Sequence, residues 1–179
     1  MTFESAMVLT RTVGSHTSFE DPECHAYFDL LMTLPPDSLI VEVGLEYGRS
    51  SSIALQVAGY RNLKYWGIDI DVKDEWLQAS YRLNPRPWMY VAKTKSSNTT
   101  PDCDISAILI DGDHSHNGVI ADCEHFLPHV VVGGYAMFHD YGRDSLPEVY
   151  QAVNDYLTPR LEWSHVGVYG TLGIWRRIL

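Results

Sequence analysis

Four short apolar runs each deliver the chain to acidic residues, and no other feature constrains the fold as strongly. The runs are Leu39 to Val43 (LIVEV), Leu63 to Ile70 (LKYWGIDI), Ile105 to Ile110 (ISAILI) and Tyr135 to His139. At or just beyond their ends stand Glu42 and Glu46, Asp69 and Asp71, Asp111 and Asp113, and Asp140. Near-continuous apolar runs of this length are the strands of a parallel sheet covered on both faces. Stretches of helical composition alternate with them: Ser50 to Ala58 with Gly59 as C-cap, Asp74 to about Leu83, His116 to Leu127, and Leu146 to Leu157. A further strand is expected at Trp88 to Ala92 after the Pro85 and Pro87 break, and Gly133-Gly134 is expected to turn the chain before Tyr135. Leu161 to Val168 and Thr171 to Arg177 follow with no helix between them, so they read as an antiparallel hairpin. The sum is a three-layer α/β fold around a mostly parallel sheet.

Before the first strand, residues 1 to 20 are polar and read as a loose arm or cap. Asp21-Pro22 then reads as an N-cap and first-turn proline of a helix that Pro35-Pro36 stops. This arm and helix, 1–36, are expected to belong with a single domain at 37–179. A chain of 179 residues with 45% apolar content is long enough to bury its own core. Its net charge of −10 argues against a nucleic-acid partner or an anionic membrane surface, which need basic patches. Three cysteines without CxxC spacing support neither a disulfide framework nor a zinc ribbon, and fit a reducing compartment. No run of 18 apolar residues occurs, and the opening segment lacks signal-peptide order. A cytoplasmic protein is expected.

Ligands of open α/β sheets bind beyond the carboxyl ends of the strands, so the acids sit where chemistry is expected. The first turn, Glu42-Val-Gly44-Leu-Glu46-Tyr-Gly48-Arg-Ser50, has Glu46 where a dinucleotide fingerprint has its middle glycine. Glu42 and Glu46 would repel a pyrophosphate. That weakens the alternative of a nicotinamide-dependent oxidoreductase. A cofactor with an ammonium, a sulfonium and a ribose diol fits better, and S-adenosylmethionine has all three. Asp69, 27 residues after Glu42, ends the next strand and can accept both ribose hydroxyls. An ordinary tight turn would account for Gly44 and Gly48 alone, but not for the acids at both strand ends.

Five of the eight histidines fall between His114 and His139, among the second group of acids. Adjacent parallel strands lie about 4.8 Å apart, so Asp111 and Asp140 at neighbouring strand ends can share one cation. Oxygen ligands favour Mg²⁺ or Ca²⁺, with Mg²⁺ the first choice. A nitrogen from His139 moves the preference towards Mn²⁺ or a later metal. The bland alternative makes Asp111 or Asp140 a cap and His139 a core residue. His114 and His116 are two apart, so at most one points inward, and a histidine there can serve as general base. Seven acids (Glu42, Glu46, Asp69, Asp71, Asp111, Asp113 and Asp140) are thus expected to form one cation-binding rim.

EVGLEYGRSSS, GIDID and LIDGDHSHNGVIADCEHFLPHVVVGGYAMFHDY together resemble class I S-adenosylmethionine-dependent methyltransferases. The likeness is to the metal-dependent O-methyltransferase branch that includes cephalosporin-hydroxylase-like and macrolide-sugar enzymes. It implies a Rossmann-like methyltransferase fold with a seven-stranded sheet. It further implies that Glu42, Gly44, Gly48 and Ser50 line the amino-acid end of the cofactor, and that Asp69 holds the ribose. Ser96 or Ser97 would border the adenine. Asp111, His139 and Asp140 match the metal ligands, Asp111 also adjoining the cofactor. Asp111 and His114 would carry the catalysis, His114 standing where related enzymes have a lysine base. The implied reaction is methyl transfer to a hydroxyl of a small molecule such as a sugar, polyketide or catechol. A non-catalytic S-adenosylmethionine-binding protein is the alternative, and the short arm leaves room for completion by a second subunit.

Overall fold

The computed structural model describes residues 1–7, 19–83 and 89–179. Seven strands form one sheet: β1 (Leu39–Val43), β2 (Lys64–Asp69), β3 (Met89–Lys93), β4 (Ile105–Ile110), β5 (Val130–Phe138), β6 (Trp163–Tyr169) and β7 (Leu172–Arg177). Their order is β3-β2-β1-β4-β5-β7-β6. β1 to β5 are parallel, and β7 runs antiparallel to both β5 and β6. The expected seven-stranded α/β methyltransferase architecture and its closing hairpin are therefore observed.

Among the described residues, five helices cover the sheet: α1 (Asp21–Thr33), α2 (Arg49–Arg61), α3 (Asp74–Leu83), α4 (His116–Phe126) and α5 (Pro147–Leu157). Alternation along the strands builds two cores. Ile40, Ala107, Leu109, Met137 and Ile174 pack with α1, α2 and Trp76 of α3 on one face. Val41, Val43, Ile108, Ile110 and Phe138 pack with α4 and α5 on the other. A helical turn at 3–7 covers α1, with the Phe3 ring stacked on His25 at 3.4 Å between centroids. No helix among the described residues is long and apolar enough to cross a membrane.

Local departures from expectation have identifiable causes. α2 passes through Gly59 and ends at Asn62, which takes the left-handed conformation (φ 59°) that asparagine tolerates. Gly133-Gly134 does not precede β5 but lies inside it. Gly133 has φ 88°, and the register against β4 shifts there. α1 is capped by Glu20 rather than Asp21, because the Glu23 carboxylate accepts the Glu20 N–H at 2.5 Å. Pro85, Pro87, Trp88 and arm residues 8–18 lie outside the described residues.

The strand order places the switch point between β1 and β4, where the chain steps from the β3 edge back across β1. Ligands of such sheets bind outside the carboxyl ends of the strands at a switch point, which here is where the loops leaving β1 and β4 meet.

Candidate active site

The β1 turn packs three left-handed residues into five positions: Gly44 (φ 86°), Glu46 (φ 47°) and Gly48 (φ 78°). Both glycines are required for space as well as for φ. A Cβ on Gly44 would lie 2.0 Å from the Asp111 carbonyl oxygen, and one on Gly48 would lie 2.0 Å from Trp76 Nε1. Asp69 closes the turn from β2: its Oδ2 accepts the N–H groups of Leu45 (2.6 Å) and Glu46 (3.2 Å), and its Oδ1 accepts that of Asp71 (2.7 Å). Glu42 is fully buried beneath this turn. Its carboxylate accepts the Ser50 hydroxyl at 2.5 Å and the Tyr65 hydroxyl at 2.7 Å. Burial pushes its carboxyl up to about 7, a rise that these hydrogen bonds reduce and the nearby Asp111 charge reinforces.

The second group forms where β4 and β5 end. Asp111, His139 and Asp140 each present a ligand atom within 4.8 Å of the others. His139 Nδ1 is 2.9 Å from Asp111 Oδ1 and 3.5 Å from Asp140 Oδ2. His114 joins from the β4–α4 loop, its Nε2 3.3 Å from Asp111 Oδ1 and 3.2 Å from Asp140 Oδ2. Asp140, in a left-handed conformation (φ 58°), also takes a 3.0 Å contact from Arg143. Burial raises the Asp140 carboxyl, but His114, His139 and Arg143 outweigh it and hold it at about 2. Hydrogen bonds to Asp111 and Asp140 raise His114 to about 9. Burial opposes charge on His139, yet Asp111 and Glu23 lift it to about 10. The imidazoles of His114 and His139 thus face the carboxylates of Asp111 and Asp140 at hydrogen-bonding distance. A buried carboxylate (Asp140), a partly buried one (Asp111) and an imidazole nitrogen are also the donor set of a divalent-cation site, so these residues fit the metal that the family resemblance implies.

The expected single rim of seven acids is divided by the structure. Asp111 and Asp140 converge. Asp71 instead pairs with Lys73 and, at 3.8 Å, with Lys93. Asp113 accepts the Ser115 N–H at 2.9 Å ahead of α4, and Glu42 lies inside the wall. His116 points away, its Nε2 3.0 Å from Asp155 of α5 and its N–H on Glu148 at 2.8 Å. Of the candidate serines, Ser50 is buried against Glu42. Ser96 donates to Asp122 of α4 at 2.6 Å, and Ser97 is exposed beside it.

Two residues escaped the sequence reasoning. Trp76 closes over Gly48 and donates to Ser52 Oγ at 3.3 Å; its only sequence signal is an apolar position on α3. Glu23, fully buried, accepts the Thr171 N–H and hydroxyl, both at 2.7 Å, and lies 3.4 Å from His139 Nε2. In the sequence it looks like a capping-box glutamate, which explains the helix start but not this position.

Residues 41–141, more than half of the chain, match the family model described as a methyltransferase domain. A search of curated protein sequences finds no match. Among solved structures, the O-methyltransferase NovP superposes with TM-score 0.69 at 16% identity, covering 93% of this chain and 84% of its own. CalS11, described as a TDP-rhamnose 3′-O-methyltransferase of calicheamicin biosynthesis, gives TM-score 0.68 at 13% identity, with 97% and 92% covered. TomG from Streptomyces achromogenes, an O-methyltransferase of tomaymycin synthesis solved with S-adenosylmethionine, gives TM-score 0.70 at 10% identity, with 99% and 89% covered. At these identities the likeness carries the fold, and the family model carries the membership. The nicotinamide alternative falls with it. With a methyltransferase-domain match across the whole β1-to-β5 region that builds both halves of the site, the chain belongs to the S-adenosylmethionine-dependent methyltransferases.

Proposed function

We propose that this chain is an O-methyltransferase that transfers the methyl group of S-adenosylmethionine to a hydroxyl of a small molecule, assisted by a divalent cation. The observation that carries this is the contact of Gly44 with the Asp111 backbone. It sets the cofactor turn against the carboxylate cluster at the switch point. Asp111, His139 Nδ1 and Asp140 would hold the cation. When bound, it supplies the positive charge that lowers the acceptor's pKa and orients neighbouring oxygens.

The remaining roles fall to the chain itself. The Gly44–Gly48 turn receives the amino-acid end of the cofactor, with the Glu42 carboxylate behind it. Asp69 is already oriented by three backbone N–H groups, and its Oδ1 keeps a lone pair for a ribose hydroxyl. Ser96, tied to Asp122, stands with Ser97 on the side of the adenine. His114 Nε2 takes the acceptor's proton. Hydrogen bonds to Asp111 and Asp140 raise that ring's pKa, and a cation held by the same carboxylates would oppose that rise. Fixing donor and acceptor in line is worth about 7–11 kcal/mol at ideal geometry. The description of NovP supports O-methyl transfer, and those of CalS11 and TomG support a small-molecule acceptor.

Methyl transfer from labelled S-adenosylmethionine to nucleotide sugars and catechols tests the proposal. Transfer is expected with Mg²⁺ or Mn²⁺ and lost with chelator. Undiminished transfer in chelator-treated protein contradicts the cation's role, and no cofactor binding at millimolar concentration contradicts the reading as a whole.

A further inference from the structure

Glu23 enters the site from α1, far from the motifs of the sheet edge. Its carboxylate has no exposed surface. Oε1 is filled by Thr171, which donates both its N–H and its hydroxyl at 2.7 Å. Oε2 accepts the Glu20 N–H at 2.5 Å and faces His139 Nε2 at 3.4 Å. Gly170 is shaped around it: a Cβ there would lie 2.9 Å from both Cγ and Oε1 of Glu23. His139 itself is 1% exposed, and among the described residues its Nε2 has no hydrogen-bond partner within good geometry; the carboxylate aimed at it is that of Glu23. A capping box explains the Glu20 N–H bond but not the Thr171 contacts or the approach to His139. A buried carboxylate is costly unless paired, so its orientation towards a buried ring nitrogen calls for a reason.

We propose that Glu23 is the positioning residue of the cation cluster: its Oε2 accepts the Nε2–H of His139 and so turns the Nδ1 lone pair towards Asp111 and Asp140. The proposal rests on the cation reading given above. A ring that ligates through one nitrogen is oriented by the hydrogen bond its other nitrogen makes, and a carboxylate is the usual partner. The arrangement also ties α1 and the β6–β7 turn to the site, because Thr171 fixes the carboxylate that fixes the ring.

Glu23→Gln makes a directional test. The two Thr171 donors retain the amide oxygen, so the NH₂ group faces both His139 and the Glu20 N–H, which loses its acceptor. An NH₂ donor demands a lone pair at Nε2, which moves the ring proton to Nδ1 and blocks the ligand position. Mn²⁺ titration of the full chain is expected to show a 10- to 100-fold loss of affinity in Glu23→Gln. His116→Gln changes a ring that faces Asp155, away from the cluster, so its affinity is expected within threefold of wild type. In ¹⁵N-histidine spectra of wild-type protein saturated with Mg²⁺, the His139 proton is expected on Nε2, a readout that needs no variant. Mn²⁺ binding that survives Glu23→Gln within threefold, or a proton found on Nδ1, overturns the role of Glu23 alone. Absence of Mn²⁺ binding by wild-type protein overturns the cation reading and this proposal together.

Discussion

Gly44 and Asp111 meet backbone to backbone: a Cβ on Gly44 would lie 2.0 Å from the Asp111 carbonyl oxygen and 2.5 Å from its carbonyl carbon. The turn proposed to receive the cofactor and the residue that begins the carboxylate cluster are therefore one packed unit. Gly44→Ala adds a left-handed alanine, costing about 1–2 kcal/mol, to an overlap that backbone alone can relieve. Chemical denaturation is expected to show a loss of more than 2 kcal/mol, with weaker S-adenosylmethionine binding in any folded fraction. A loss under 0.5 kcal/mol would mean that the two loops move independently.

Glu42 gives folding a pH dependence of definite sign. Burial raises its carboxyl from 4.5 to about 7 in the folded chain, so between those values the unfolded chain ionises first. The contribution is complete below pH 4.5, declines as pH rises, and is gone above about 7. It amounts to about 3 kcal/mol. Wild-type stability relative to Glu42→Gln is expected to fall by that order across this window in urea titrations. A difference that stays flat with pH contradicts the assignment.

His114 and His116 are two residues apart and have opposite surroundings, which separates their predicted effects. His114→Gln is expected to slow single-turnover methyl transfer by about 10²–10⁴-fold while cofactor affinity holds. His116→Gln breaks only the side-chain link to Asp155 on α5, the Glu148 bond coming from the backbone N–H, and its rate is expected within a few-fold of wild type. Equal losses in both variants would remove His114 from the proton-transfer step.

The sheet was readable because its parallel strands are apolar on both faces and each is followed by a polar turn. Asp111, His139 and Asp140 were readable for a related reason: strand ends of neighbouring β4 and β5 must lie together. What escaped depends on contacts between distant segments. Nothing local in the α1 sequence reveals that Glu23 reaches His139, because the docking of α1 against the β6–β7 turn decides it. Likewise Asp71 and Asp113 share the strand-end position of the clustered acids. Lys73 and the Ser115 N–H draw them aside, and side-chain direction is not encoded by spacing. Gly133 misled in the opposite sense, since a glycine that supplies φ 88° serves a bulge inside a strand as readily as a turn before one.

The most direct measurement of the central claim is anomalous diffraction from crystals grown with S-adenosylhomocysteine and soaked in Mn²⁺. The account predicts one anomalous peak at about 2.0–2.3 Å from an Asp111 carboxylate oxygen, His139 Nδ1 and an Asp140 carboxylate oxygen. It also predicts the homocysteine moiety lying along the Gly44–Gly48 turn. A map with the nucleoside bound and no anomalous peak at these three residues would contradict it.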